Sequence, residues 1–378
     1  MGQSRKKHGK VCHFTSVHRY NDTRILFKEC ASLAKQGFDT HLVAVEAPDS
    51  TVQHVHIHGV RKQGRNRMNR MTRTTWAVYK KAKSLDADIY HFHDPELIPV
   101  GLLLSSQGKP VIYDIHEDVP RAIFNRPYLS LYARRLISLS MELFENRAAG
   151  KFSTLVAATP DIGKRFESIN PQTVVINNYP LLNELHSSTP VPWQKRIPGV
   201  AYVGVITEGR GVFQIVEAMQ HVPEQLNATL ELVGPFETLE LREQVMKLPG
   251  WNRVNEYGVL DREQVASLLG KVRAGLTTLL PTVAYSTSQA TKTFEYMSAG
   301  IPAIISNFPA WKHLEDMGCC IQVDPYDTRA IANAITFLIT QPAAAEEMGR
   351  RGRKAIEQYY NWETQVPKLV ERYENLLS

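Results

Sequence analysis

Apolar residues fall along the chain in two alternating patterns. Short apolar runs, some broken at every second position, alternate with stretches whose apolar residues recur every three or four positions. The first pattern is that of strands and the second that of helices buried by one face. "KVCHFTSV", "DTHLVAV", "HVHIHGV", "ADIYHFH", "KPVIYDIH", "STLVAAT" and "QTVVINN" read as strands in the first half. A second series begins near residue 199 with "GVAYVG", "ATLELVG", "AGLTTLL", "PAIIS" and "CCIQV". Helical patterns lie between them, among them "TRILFKECASLAKQG", closed by Gly37, and the long "PYLSLYARRLISLSMELFENRAA".

Strand–helix alternation predicts parallel sheets covered by helices, hence an α/β chain. At 378 residues it is long enough for two Rossmann-like domains. The stretch "YPLLNELHSSTPVPWQKRIPG" holds four prolines and shows no period. It predicts a linker over 183–198, between a first domain at 1–182 and a second at 199–358. Residues 359–378 carry a last helical pattern, "NWETQVPKLVERYENLLS", expected to return to the first domain. Two such domains facing each other would leave a central cleft at the carboxyl ends of their strands, where open sheets bind ligands.

Composition narrows the class. A hydrophobic fraction of 43% and a charged fraction of 22% are those of a soluble globular protein. No apolar run approaches the roughly 18 residues of a membrane span. The start, "MGQSRKKHGK", is basic with no apolar segment behind it, so no secretory signal is expected. Four cysteines without C-x-x-C spacing suit a reducing, cytoplasmic setting. Charge is uneven: residues 1–180 hold 26 Lys and Arg against 16 Asp and Glu, the remainder 18 against 22. Residues 61–84 hold nine Lys and Arg and no acid, a pattern of an anionic membrane surface or of a solvated helix face. No nucleic-acid module accompanies it, so no nucleic-acid partner is expected.

Chemistry concentrates in a few places. In "ATKTFEYMSAGIPAIIS", Lys292 and Glu295 stand three apart, on one helix face just before a buried strand. "YVGVITEGRG" reads as strand, loop and helix start, and free N–H groups at a helix start suit phosphate. Alternation puts His91 and His93 of "YHFHDPEL" on one strand face beside Asp94, but no third ligand is evident, so no metal is expected.

Taken in order, "YHFHDPEL", "YDIHEDVP", "YVGVITEGRG" and "KTFEYMSAGIPAI" make nearly the whole chain resemble glycosyltransferase family 4. These are retaining sugar transferases of the two-domain GT-B architecture, and the likeness is to bacterial enzymes of cell-surface polysaccharides. The resemblance implies that Glu295 binds the ribose of a nucleotide-diphosphate sugar, since a carboxylate accepts two hydrogen bonds from a vicinal diol. It implies that Arg210, before Gly211, contacts the diphosphate next to Gly204, and that His116 touches the donor sugar. Two positions depart from the family pattern. Val205 stands where a second basic residue is common, which makes Lys292 the candidate replacement. Thr287 stands where a second Glu is usual, leaving Thr287 and Ser288 to meet phosphate or sugar hydroxyls.

By the same resemblance, catalysis needs no metal and no cofactor: His116, Arg210 and Lys292 are the catalytic candidates. The implied partners are a nucleotide-diphosphate sugar, uridine being the common base, and a glycan or lipid-linked acceptor. The latter favours the membrane reading of 61–84, with the protein peripheral on the inner face of the membrane. His18, Asp22, Arg24, His93, Asp94 and Glu117 are the acceptor-side candidates. Glu117 and Asp118 either face the acceptor or cap the next helix. The alternatives are a GT-B scaffold without catalysis and a sugar-nucleotide epimerase on the same fold.

Overall fold

The computed structural model describes residues 8–64, 66–125, 130–186, 191–282, 285–286, 289 and 291–378. Thr287 and Ser288 therefore lie outside the described residues. The chain forms two compact units, one of Met1–Asn178 with Gln365–Ser378, the other of Tyr179–Thr364.

In the first unit eight strands form one sheet: β1 (His8–Phe14), β2 (Phe38–Val45), β3 (Ser50–Val52), β4 (Val55–Val60), β5 (Ile89–Phe92), β6 (Val111–Ile115), β7 (Thr154–Ala157) and β8 (Thr173–Val175). Their order is β3-β4-β2-β1-β5-β6-β7-β8, and every pairing except the antiparallel β3–β4 is parallel. Right-handed crossovers send the β1–β2 connection to one face and the connections from β4 through β7 to the other. Accordingly Ile25, Leu26 and Ala34 pack on Leu42 and Ile57 on one side. On the other, helices 75–84, 98–106 and 131–149 lie side by side over Phe14, Phe92 and Tyr113.

The second unit holds β9 (Gly199–Val203), β10 (Thr229–Val233), β11 (Val254–Gly258), β12 (Ala274–Thr277), β13 (Ala303–Ser306) and β14 (Cys320–Val323), all parallel, in the order β11-β10-β9-β12-β13-β14. β9, β12 and β13 are buried along their whole length, as strands covered on both faces must be. Two strands escape the apolar pattern. β11, "VNEYG", is a largely exposed edge strand, and β3 spans only three residues.

The segment expected to be a linker, 183–198, is instead part of the second unit. Leu185 and Trp193 are buried in its core, and Arg262 Nε donates to Glu184 Oε1 at 2.6 Å. Prolines hide the period of this stretch, in which Leu185, Trp193 and Arg196 are nevertheless buried. The chain passes between units at Asn178–Tyr179 and again at Thr364–Gln365. Helix Val366–Leu377 packs in the first unit through buried Leu369 and Tyr373.

Candidate active site

In the second unit the site begins with two glycines. Gly204 closes β9 at φ 150°, and a Cβ there would stand 3.2 Å from Arg210 Nη1 and 3.6 Å from Lys292 Cε. Gly211 precedes helix Val212–Met219 at φ 76°, and its Cβ would meet the Thr278 carbonyl oxygen at 2.3 Å. Only glycine combines that backbone with that approach. The Val205 carbonyl accepts from Arg210 Nη1 at 3.2 Å and from the Tyr202 hydroxyl at 2.8 Å. The Val205 backbone thus orients Arg210.

Helix Thr291–Ser298 is fixed by Tyr296. Its ring lies where a Cβ on Gly275 would be, only 2.2 Å away. Its hydroxyl accepts from Val203 N at 3.0 Å and donates to the Leu276 carbonyl at 3.3 Å, bridging β9 and β12. The neighbouring Glu295 is thereby held in a defined place, nearly buried. Lys292 Nζ donates to its Oε2 at 2.7 Å and Arg262 Nη1 to its Oε1 at 3.2 Å. The Lys292–Glu295 ion pair is therefore formed, while the Lys292 stem passes Gly204 beside Arg210. Arg262 was not evident in the sequence. It opens the helix of "REQVASLL", 33 residues from Glu295, where local pattern signals only a helix start.

In the first unit, polar groups gather at the carboxyl ends of β1, β5 and β6. His13 faces His91 in register. His93 Nε2 lies 3.0 Å from His13 Nδ1, and the Tyr373 hydroxyl lies 2.9 Å from His13 Nε2 and 2.6 Å from His91 Nδ1. His116 follows β6 and places Nε2 2.7 Å from Asp114 Oδ2. Arg24 grips Asp114 with two bonds, 3.0 and 2.9 Å, and lies 3.0 Å from Glu29. Burial pushes the Glu29 carboxyl well up, with Asp114 adding to it. Burial opposes charge on Asp114 too, but Arg24 and His116 hold it well below the usual carboxylate range. His13 and His91 are held well below the ordinary imidazole value by burial, and His93 below it for the same reason.

Several acceptor-side expectations change here. Arg24 is buried on Asp114 rather than lining an open surface, because the buried Asp114 carboxylate needs its charge. Asp22 caps the helix that begins at Thr23, accepting from the Arg24 and Ile25 amides. His93 and Asp94 are buried. Asp94 accepts from Thr15 Oγ1 at 2.7 Å and Ser16 N at 2.6 Å and lies 2.8 Å from His18 Nδ1. Burial would raise Asp94, but these bonds hold it far down, and Asp94 in turn raises His18 against its own burial. Asp118 caps helix Val119–Ala122 and pairs with Arg121 and Arg165, which settles it as a cap, whereas Glu117 is exposed. Among these histidines and carboxylates His18, Asp22, His116, Glu117 and Asp118 reach solvent, His18, His116 and Asp118 with 29%, 17% and 16% of their side chains.

Among the described residues two groups place their ligand atoms within 4.8 Å: His13, Glu29, His91 and His93, and His93, Asp114 and His116. Their residue types suit a metal, but the carboxyls in both already face the Arg24 guanidinium, which supplies the positive charge. Glu29 and Tyr373 had no sequence signal beyond helical spacing.

The comparisons divide as the fold does. Residues 24–178 match the family model "Glycosyltransferase Family 4", and residues 189–355 match "Glycosyl transferases group 1". D-rhamnosyltransferase WbpZ of Pseudomonas aeruginosa is 24% identical over 367 residues, 93% of this chain and 92% of that protein. Sucrose-phosphate synthase from Thermosynechococcus elongatus superposes with a TM-score of 0.76 at 18% identity, covering 97% of this chain and 98% of the other. The Anabaena HepE structure in complex with UDP and glucose gives 0.73 at 15% identity, over 97% of this chain and 100% of the other. With one model matching within each of two parallel-sheet units, the chain belongs to glycosyltransferase family 4 and has the GT-B fold.

Proposed function

We propose that this glycosyltransferase is a retaining, metal-independent enzyme acting in surface polysaccharide synthesis. It takes a hexose, N-acetylhexosamine or related sugar from a uridine diphosphate donor and passes it to a glycan or lipid-linked acceptor. The observation that carries this reading is the meeting of Arg210 and Lys292 over Gly204, with Glu295 one turn along the same helix as Lys292. A diphosphate beside Gly204 would lie against two cations and the start of helix 212–219. A ribose one step away would reach Glu295.

The geometry supports an exchange of partners. Glu295 pairs with both Lys292 and Arg262. In the donor complex Lys292 faces the phosphates, one Glu295 oxygen accepts from the ribose diol and Arg262 holds the other. As the sugar–phosphate bond breaks, negative charge grows on the leaving phosphate, where Arg210 and Lys292 stabilise it. The acceptor hydroxyl attacks from the same face and its proton passes to a phosphate oxygen, so no protein nucleophile is used.

The name of the P. aeruginosa relative adds a deoxyhexose to the candidate sugars. HepE was solved with UDP, in keeping with uridine. Among the described residues no helix is long and apolar enough to cross a membrane. We place the protein in the cytoplasm, peripheral on the inner membrane face, with residues 61–84 attracted to anionic lipid.

A thermal-shift screen against UDP, GDP, ADP and their sugars tests the donor. A ligand at 100 times its dissociation constant should add about 2.7 kcal/mol of stability. Product analysis with and without acceptor then separates transfer from epimerisation. Binding of a nucleotide without turnover of any sugar donor would leave the scaffold reading standing and remove the enzymatic one.

A further inference from the structure

Helix Leu131–Ala149 is built the wrong way round for a core helix. At about 100° per residue, Tyr132, Leu136, Leu139 and Leu143 share an arc of roughly 60°. Each is between 65% and 86% exposed. The inward side carries Ser138, Glu145, Ala148 and Ala149 instead. Ser138 Oγ donates to the Pro120 carbonyl at 2.8 Å, and Glu145 accepts from the Tyr113 hydroxyl and from Arg165, each at 2.8 Å. These bonds fix the rotation of the helix, so the leucines cannot turn inward without breaking them. A contiguous apolar stripe of this kind marks a surface that meets something apolar.

We propose that this stripe is a membrane-inserting surface, lying flat in the interface of an anionic bilayer. Charge identifies the occupant. Exposed Arg135 flanks the stripe on one side together with Glu142, which pairs with Arg165, and exposed Arg147 continues the stripe by one turn. Helix 75–84, from the acid-free basic segment 61–84, lies in the same helical layer, with helix 98–106 between them. Exposed Trp76 and Met71 stand among its cations. Leucines entering the headgroup–acyl boundary, with arginines and lysines at the lipid phosphates, are the two signals that stable peripheral binding needs. A second copy of the chain fits less well, because a self-complementary contact would bring two like-charged faces together. The inference rests on the membrane reading above and moves the inserting element from 61–84 to a different helix.

The test is sedimentation with phosphatidylcholine vesicles, with and without phosphatidylglycerol, for three full-length proteins. These are the parent, the apolar variant L136Q/L139Q/L143Q and the charge variant R70Q/R73Q/K80Q. The apolar variant should keep the parent's thermal midpoint, because its changes are exposed, and should bind vesicles at least about tenfold more weakly. Leu139→Trp should gain a blue-shifted component on vesicle addition and be quenched by brominated acyl chains. Should the apolar variant bind like the parent while the charge variant fails, the helix assignment is overturned and the membrane reading survives. A parent that binds no vesicles ends both. A parent that is dimeric in light scattering and made monomeric by L136Q/L139Q/L143Q makes the stripe a subunit interface, which also overturns the proposal.

Discussion

Arg262 and Lys292 bind the same carboxylate, yet the proposed exchange gives them different work. Arg262 stays on Glu295 throughout, so it is a positioning residue. Arg262→Ala should raise the donor KM several-fold and leave kcat close to the parent's. Lys292 meets the charge that grows in the transition state, so Lys292→Ala should lower kcat by about a hundredfold. Added Mg²⁺ should not restore it. The double variant with Arg210→Ala should be non-additive, because both cations act on one diphosphate. Steady-state kinetics distinguish these outcomes, and an unchanged kcat in Lys292→Ala would reduce that lysine to a surface partner of Glu295. This part of the site was legible in the sequence because Gly204, Arg210, Gly211, Lys292 and Glu295 lie in two short local motifs. Arg262 was not, since only folding brings it near.

Elements carry a different set of constraints, most clearly in the buried polar cluster under β1, β5 and β6. The Tyr373 hydroxyl serves both His13 and His91. Tyr373→Phe should leave two buried imidazoles short of a partner and cost about 1–3 kcal/mol in the first unit. Denaturant unfolding followed at Trp76 would register the loss. Acid acts on the same place. His13, His91 and His93 have folded pKa values below that of a free imidazole. The unfolded state therefore binds more protons below pH about 6.5, and stability falls as the pH drops through that value. Glu29 runs the opposite way, since its raised pKa costs stability as the pH rises past about 4.3. His18, raised by Asp94, contributes stability that is fully present below about 6.5 and lost as the pH rises from there through its raised folded value. Three imidazoles outweigh one carboxyl between roughly pH 4.5 and 6.5, each net proton being worth up to about 1.4 kcal/mol per pH unit. Hydrogen exchange of the β1 and β5 amides, corrected for intrinsic rate, should show easier opening at pH 5 than at pH 7. Equal opening free energies would mean that these histidines are not neutral in the fold. The strands themselves were readable from apolar runs. Their polar cluster was not, because His91, His93 and Arg24 have the appearance of surface chemistry until the sheet order buries them.

At the scale of the whole molecule, the alternation of strand and helix was enough to announce two α/β units, and four motifs to announce the family. The assignment of 183–198 was not legible, since proline-rich sequence looks the same whether it spans solvent or packs as Leu185 and Trp193 do. Deleting 365–378 should destabilise the first unit alone. Limited proteolysis should then cut within residues 8–178, while the second unit keeps its nucleotide affinity. Equal protease resistance with and without the helix would show that it adds nothing to that core.

The first unit is discontinuous in sequence, and this has a consequence for biosynthesis. On the ribosome, β1 emerges before any of the second unit, but the helix that seats Tyr373 between His13 and His91 emerges after all of it. The domain started first is completed last. Throughout translation of 179–364 its polar core stays unplugged, and a nascent chain stalled anywhere in that interval holds an unfinished amino-terminal domain for chaperones and proteases to find.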